Sequence, residues 1–263
     1  MISIAIQAGG ESRRMGEEKA LLPFHGTTLI QRVIDRVKPL GDELLITTNR
    51  PRSYQKLNLP LYEDLLPGHG ALGGLYTALS VARFSEVIVV ACDMPFVNAQ
   101  ILALAIRELE SYQVDVVIPE TPKGYEPFHA VYRRENCMPA IRGALDAGER
   151  RLISWFPDVK IRTIPVSILR QYDPQQIAFN NLNTKDEFLK AEELAREIGW
   201  RWIPRISQRV QINLFQLSNL GCQQKPSLFI REGEFVLRIM LDFFRIGGNP
   251  EQEAFYSMKF WIE

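Results

Sequence analysis

Ile2-Ser-Ile-Ala-Ile-Gln-Ala-Gly-Gly-Glu-Ser-Arg-Arg-Met-Gly-Glu-Glu-Lys19 opens the chain, and the reading of everything after it depends on this stretch. An apolar run, Ile2 to Ile6, breaks into a loop with Gly9, Gly10 and Gly16, and the cations Arg13, Arg14 and Lys19 lie within or just beyond that loop. The run is too short for periodicity to separate strand from helix. Its three isoleucines and the glycine pair that ends it favour a buried strand. A loop free of Cβ atoms can turn successive backbone N–H groups into one concavity that receives an anion. Arg14 and Lys19 would then neutralise phosphate charge that the amides only cradle. The plainer reading of the same residues is a strand-to-helix turn with solvated arginines. Two common phosphate loops are excluded by spacing. Lys19 lies three residues beyond Gly16 and Ala20 follows it, so there is no Gly-x4-Gly-Lys-Ser/Thr, and G-x-G-x-x-G is absent.

The bulk composition sets the frame for this loop. The chain has 263 residues, 46% hydrophobic and 24% charged, which is ordinary for a globular protein. That length suits one α/β domain of roughly 200 residues with an additional segment. Its 31 basic and 31 acidic residues cancel, so no global basic footprint points to nucleic acid. The three cysteines, Cys92, Cys137 and Cys222, form no metal-type cluster, and their odd number argues against a disulfide framework. A reducing cytoplasm fits that usage. The N-terminus carries no basic region before its apolar run and no stretch is long enough to span a bilayer, so a soluble cytoplasmic protein is expected, with no membrane partner.

Farther along, Thr27 or Thr28 can cap a helix whose apolar positions Leu29, Ile30, Val33, Ile34 and Val37 follow a period near 3.6. Leu44 to Thr48 reads as a second strand ending at Asn49-Arg50-Pro51, where Asn49 is an ordinary turn residue on local grounds. After Asp64, the segment Leu65 to Gly74, with Gly68, Gly70, Gly73 and Gly74, reads as a second flexible loop running into an apolar helix, Leu75 to Ala82, or as a plain surface loop before that helix. Val87-Ile-Val-Val-Ala91 is a buried strand, and Asp93 sits just past its carboxyl end. Ligands gather at the carboxyl ends of strands in open α/β sheets. A carboxylate there can hold a hard cation such as Mg2+, or merely cap the turn before Pro95. Asn98 caps an expected helix from Ala99 to Tyr112, Asp115 to Pro119 reads as a strand, and Arg134 to Ala147 as a helix stopped by Gly148. His129 has no spaced carboxylate or serine partner, so packing or substrate contact outweighs a role as general base. Lys160 to Val166 offers one more strand. Asn183-Thr184 opens an amphipathic helix, Lys185 to Ile198.

As one string, Gln7-Ala8-Gly9-Gly10-x-Ser12-x-Arg14-Met15-Gly16-x-x-Lys19 resembles the N-terminal signature of the molybdenum cofactor guanylyltransferases, nucleotidyltransferases of glycosyltransferase-A-like fold. Four further stretches extend the resemblance. Gly70-Ala-Leu-Gly-Gly74 is similar to the family's base-and-ribose segment, with Ala71 where proline is common and Asp64 keeping the acidic position. Cys92-Asp-Met-Pro95 matches the family's Cys-Asp-x-Pro. Glu126 to Arg133 resembles the segment that helps form the pterin-side pocket, and Asn181-Leu-Asn-Thr184 the closing Asn-x-Asn-Thr. The resemblance runs from Met1 to about Gly199, roughly three-quarters of the chain. It implies a three-layer α/β/α, Rossmann-like, mostly parallel sheet in residues 1–199.

It also implies transfer of GMP from GTP to molybdenum-molybdopterin, giving the guanine dinucleotide cofactor and pyrophosphate. Gln7, Ala8, Gly9, Gly10, Lys19, Asn49, Asp64 and Asp93 are then the expected nucleotide contacts, and Asn181 and Asn183 the expected contacts to the second substrate. Arg14, Lys19 and Asp93 are the expected catalytic residues, with Asp93 holding Mg2+. Arg150-Arg151 is either a basic pair near the substrate or a solvated pair. Ala8-Gly9-Gly10 favours the guanylyl over the cytidylyl relatives, which more often read Ala-Ala-Gly, so a cytidylyltransferase is the alternative enzyme. A nucleotide-binding interaction protein for cofactor biosynthesis partners or molybdoenzyme chaperones is the alternative from another class. Residues 200–263 resemble nothing in the family and hold 11 of the 26 aromatics. Phe235 to Ile246, apolar almost throughout, suggests a buried or partner-facing helix in a tail that is either a docking element or an extension without a selected role, of low order outside that stretch.

Overall fold

A computed structural model describes residues 1–9 and 18–198 and, beyond them, the backbone of strands 227–232, 235–244 and 255–262. The chain forms two compact units, Met1–Trp202 and Ile203–Glu263. In the first, β1 (Ile2–Gln7) is followed by a short hairpin, β2 (Pro23–Phe24) and β3 (Thr27–Thr28), and by α1 (Leu29–Val37). Next come β4 (Glu43–Thr47), α2 (Pro51–Tyr54), β5 (Leu61–Tyr62), α3 (Gly70–Val81), β6 (Glu86–Ala91) and α4 (Ala99–Tyr112). The unit continues with β7 (Val116–Thr121), β8 (Gly124–Tyr125), β9 (His129–Arg133), α5 (Arg134–Asp146), β10 (Ile161–Pro165), α6 (Val166–Tyr172) and α7 (Lys185–Glu197).

The main sheet runs β10-β7-β9-β6-β1-β4-β5, with β8 paired to β7. β1 pairs in parallel with β4 and β6, β4 with β5, and β7 with β10. Along that path β9 runs antiparallel, set between β6 and β7. The expected mostly parallel α/β sheet is what the chain forms.

Alternation along the strands explains how one sheet carries two helical layers, because successive side chains leave opposite faces. Ile4, Ile6, Ile46, Ile88, Val90, Val117 and Val131 share a core with Ile30 and Val33 of α1 and Ile101, Leu102 and Ala105 of α4. Ala5, Leu45, Val87, Val89, Val116, Ile118 and Ala130 share another with Leu72, Leu75 and Leu79 of α3 and Ile141 of α5. Local chemistry sets where these helices start. Thr28 caps α1 by accepting from Gln31 N–H, and all five of its expected apolar positions are buried. Asn98 caps α4 by accepting from Gln100 and Ile101 N–H. β1 thus has neighbours reached through helices on opposite faces. Its carboxyl end is the switch point where such sheets bind ligands.

Two expectations are corrected. The glycine loop expected before Leu75 is shorter than its pattern suggests, because α3 already begins at Gly70 and only residues 65–69 remain outside the helix. Two of its glycines serve close approach: a Cβ on Gly73 would lie 3.0 Å from Leu66 O, and one on Gly74 would lie 3.2 Å from Gln7 Oε1. Phe235 to Ile246 is not a helix over its described part. Phe235–Phe244 is a strand, β12, between β11 (Ser227–Glu232) and β13 (Phe255–Ile262) in a three-stranded antiparallel sheet. A short, nearly continuous apolar run fits either element, and backbone pairing on both of its edges decides for the strand here. Arg245 and Ile246, and the order expected for the rest of the tail, lie outside the described residues.

Candidate active site

Three strand ends are tied together at the switch point. Ala8 N–H donates to Thr47 O at 2.8 Å, and Cys92 N–H to Gln7 O at 3.0 Å. Asp93, next in line after β6, faces a residue brought back from the far end of the glycine loop. Lys19 Nζ donates to Asp93 Oδ2 at 2.9 Å and to Asn183 Oδ1 at 3.1 Å. The side chains of Lys19 and Asp93 are only 10% and 21% exposed. In an ion pair stripped of this much water the attraction is less screened, and removing one partner costs more, than on the open surface.

Asn183 reaches the cluster because its loop is fixed twice. Leu182 N–H donates to Asp93 O at 3.0 Å. One residue on, Thr184 and Glu187 form a capping box at the start of α7, satisfying helix donors that have no partner within the helix. Glu187 Oε2 accepts from Asn183 N–H at 2.7 Å and from Thr184 N–H at 2.8 Å. The Asn183 N–H, above all, holds the Glu187 carboxyl below the usual carboxylate range. Asn181 is exposed in the same loop.

On the other side of β1, Asn49 Nδ2 donates to Asp64 Oδ2 at 3.0 Å, joining the turn after β4 to the loop after β5. Gly9 lies beside this pair, since a Cβ on it would stand 3.9 Å from Asn49 Nδ2. The Gln7 amide leans on Gly74 of α3, and its Nε2 is buried without a hydrogen-bond partner. A buried donor of this kind is costly unless something accepts from it. Gln7, Asn49, Asp64, Lys19, Asp93 and Asn183 therefore line the carboxyl edge of β6, β1, β4 and β5. Gly10 and Arg14, like Arg13 and Gly16, lie outside the described residues. Arg150 and Arg151 are exposed after the left-handed Gly148.

One cluster has no signal in the sequence. Glu18 Oε1 accepts from Arg50 Nη1 at 2.6 Å and its Oε2 from the Tyr54 hydroxyl at 2.8 Å. These bonds staple the residue beside Lys19 to α2, and burial foremost keeps the Tyr54 phenol protonated well above its usual range. His129, by contrast, stands apart from the chemistry. It is fully buried, its ring is 5.0 Å from that of Phe179, and its Nε2 accepts from Asn98 N–H at 3.4 Å. Burial lowers its pKa to about 3, so it is neutral and packed.

The donors around Lys19 fit a hard divalent cation. Asp93 offers a carboxylate and Asn183 an amide oxygen, and among the described residues no group of three or more His, Cys, Asp or Glu is placed to hold a metal. Mg2+ characteristically takes one or two carboxylates, keeps water, and completes its shell with substrate phosphates.

Comparison with known proteins places this chain among nucleotidyltransferases. Residues 4–160 match the model of the MobA-like NTP transferase domain. A molybdenum cofactor guanylyltransferase of Desulfosudis oleivorans is 38% identical over 188 residues, covering 71% of this chain and 92% of that protein. One from Syntrophotalea carbinolica is 30% identical, covering 75% and 94%. The crystal structure of molybdopterin-guanine dinucleotide biosynthesis protein A from Archaeoglobus fulgidus superposes with a TM-score of 0.65 at 29% identity, covering 74% of this chain and 99% of that one. The 2-C-methyl-D-erythritol 4-phosphate cytidylyltransferase of Thermus thermophilus, at 15% identity and a TM-score of 0.54 with coverage of 73% and 98%, shares the fold.

Proposed function

The chain belongs to the MobA-like NTP transferase family, and from that membership we propose that it transfers GMP from GTP to molybdenum-molybdopterin, releasing pyrophosphate. The observation that carries this reading is the meeting of Lys19, Asp93 and Asn183 at the switch point, within 3.1 Å of one ammonium. Such a site supplies charge and position, which do most of the work in phosphoryl transfer. The attacking group is a phosphate oxygen of the pterin substrate, already ionised near neutral pH. It forms a bond to the α-phosphorus of GTP as the bond to the bridging oxygen breaks, and that electron pair leaves with pyrophosphate. No activated serine, cysteine or histidine is required, which agrees with a neutral, buried His129.

Lys19, with Arg14, holds the triphosphate and offsets charge on the departing group. Gln7, Ala8, Gly9 and Gly10 receive the nucleotide beside Asn49 and Asp64, and Asn181 and Asn183 face the second substrate. Asp93 and Asn183 would hold a divalent cation, in our reading Mg2+, which when bound acts as Lewis acid and template. We assign catalysis to residues 1–199 and docking of partner proteins, or no role in the reaction, to 200–263. Among the described residues no helix is long and apolar enough to cross a membrane. Cys92 and Cys137 are free thiols, which suits a reducing cytoplasm.

The test is pyrophosphate release with molybdopterin and Mg2+, comparing GTP, CTP and ATP. Release with GTP alone supports the reading. Preference for CTP keeps the chemistry and replaces the base, while binding without release makes the protein a nucleotide-dependent docking partner. The same assay on a chain cut after Gly199 tests the division of roles, since retained release keeps the tail out of the reaction.

A further inference from the structure

Two oxygens on anchored loops and one cation on a long stem meet at the centre of the site. Asp93 Oδ2 and Asn183 Oδ1 stand 2.9 and 3.1 Å from Lys19 Nζ. The backbones that carry the two oxygens are tied in place without help from Lys19. Leu182 N–H bonds to Asp93 O, joining the two loops, and Glu187 Oε2 locks the Asn183 backbone at 2.7 Å. Lys19 reaches them instead through a flexible four-carbon stem, so it is the movable member. A carboxylate oxygen beside an amide oxygen is also what a hard divalent cation takes. An ammonium and a metal ion cannot both sit there, because like charges a few ångströms apart repel.

We infer that in the nucleotide-free protein Lys19 fills the cation position on Asp93, so that a divalent cation enters only when a polyphosphate draws the ammonium away. The identity of that polyphosphate, a nucleoside triphosphate, rests on the nucleotidyl-transfer reading above. The ion pair neutralises the carboxylate that would attract the metal. A triphosphate offers Lys19 several charged oxygens and brings the metal some of its own ligands. Lys19 thus acts as a placeholder that couples the two arrivals. By linkage, nucleotide and metal must raise each other's affinity by the same factor.

The experiment is Mn2+ binding to the full chain, followed by electron paramagnetic resonance of the free ion, with no nucleotide present. Wild-type protein should bind Mn2+ weakly. Lys19→Met, which keeps the stem and removes the charge, should bind it at least about tenfold more tightly, within the usual range of such couplings. Adding Asp93→Asn should abolish that gain. A GTP analogue with a methylene between the α- and β-phosphates should tighten Mn2+ binding in the wild type and much less in Lys19→Met. Equal Mn2+ affinity of wild type and Lys19→Met without nucleotide overturns the inference. So does a gain that survives Asp93→Asn, because the metal then sits elsewhere. Lys19→Gln repeats the measurement if the methionine variant does not fold. None of these readings needs turnover, so failure of GMP transfer is scored separately by pyrophosphate release.

Discussion

The connection between β6 and α4 carries two polar residues with opposite fates. Asp93 at its start faces Lys19 and Asn183 in a cluster still partly open to solvent. Asn98 at its end caps α4, donates from Nδ2 to Tyr172 O at 3.0 Å, and is itself bonded to a histidine with no exposure at all. One end is a charged pair with access to solvent, and at the other the half-buried Asn98 leads to a sealed, neutral histidine. The difference teaches where chemistry is possible in this fold. An ionisable group serves phosphate chemistry only where water and substrate reach it, and a group walled in by Phe179 serves packing.

The largest effect that would break this contrast is at Asp93. Asp93→Asn keeps the shape and removes the charge. It should lower kcat/KM for GMP transfer by at least about 10^3-fold, equivalent to ~4 kcal/mol of transition-state stabilisation. The cost in folding should stay near ~1 kcal/mol, because the pair is not fully buried and Asn183 Oδ1 still accepts from Lys19. Urea unfolding measured beside the kinetics checks the split. A stability loss matching the activity loss would make Asp93 a structural residue.

At the sealed end the expected effect is on stability, with a defined sign. His129 has a folded pKa lowered to about 3 against 6.5 in the unfolded chain. The unfolded state therefore binds the extra proton between these values. Stability is complete above pH 6.5 and falls as the pH drops toward 3. By pH 5 the loss is about 2 kcal/mol. His129→Gln can still accept from Asn98 N–H and cannot titrate, so it should flatten that acid limb. Urea midpoints at pH 7 and pH 5 for both proteins measure it. An unchanged slope between them would show that His129 carries no proton linkage.

Much of this arrangement is legible in the sequence because it is written locally. Thr28, Asn98 and Thr184 are recognisable as caps because a side-chain oxygen reaches a backbone N–H two or three residues on. Asp93 is legible because a buried apolar run fixes where its strand ends. What was hidden depends on residues distant in the chain. Glu18 meets Arg50 and Tyr54 across separations of 32 and 36 residues, and nothing near Glu18 announces them. β12 was hidden because its partners, not its composition, decide strand over helix. The glycines of α3 suggested flexibility because glycine reports that a side chain is absent without reporting what takes the space.

Gly74 gives the finest test, since it separates helix propensity from site geometry. Alanine in a helix interior is favoured over glycine by up to about 1 kcal/mol. Its Cβ would stand 3.2 Å from Gln7 Oε1 and 3.3 Å from Nε2, closer than ordinary contact, so the Gln7 amide must retreat by a few tenths of an ångström. That amide is the end of a side chain rather than backbone, so the fold can absorb the shift. Gly74→Ala should therefore change stability by less than about 1 kcal/mol, the propensity gain offsetting the crowding. Its mark should fall on nucleotide binding, with KM for GTP several-fold higher and kcat nearly unchanged, as when binding common to ground and transition states is lost. Gly73→Ala is the control, because its Cβ would lie 3.0 Å from Leu66 O, a backbone atom that cannot simply rotate away. It should destabilise the start of α3 outright. If Gly74→Ala instead lowers stability as much as Gly73→Ala and leaves KM for GTP untouched, the Gln7 amide is packing and belongs with His129 rather than with Asp93.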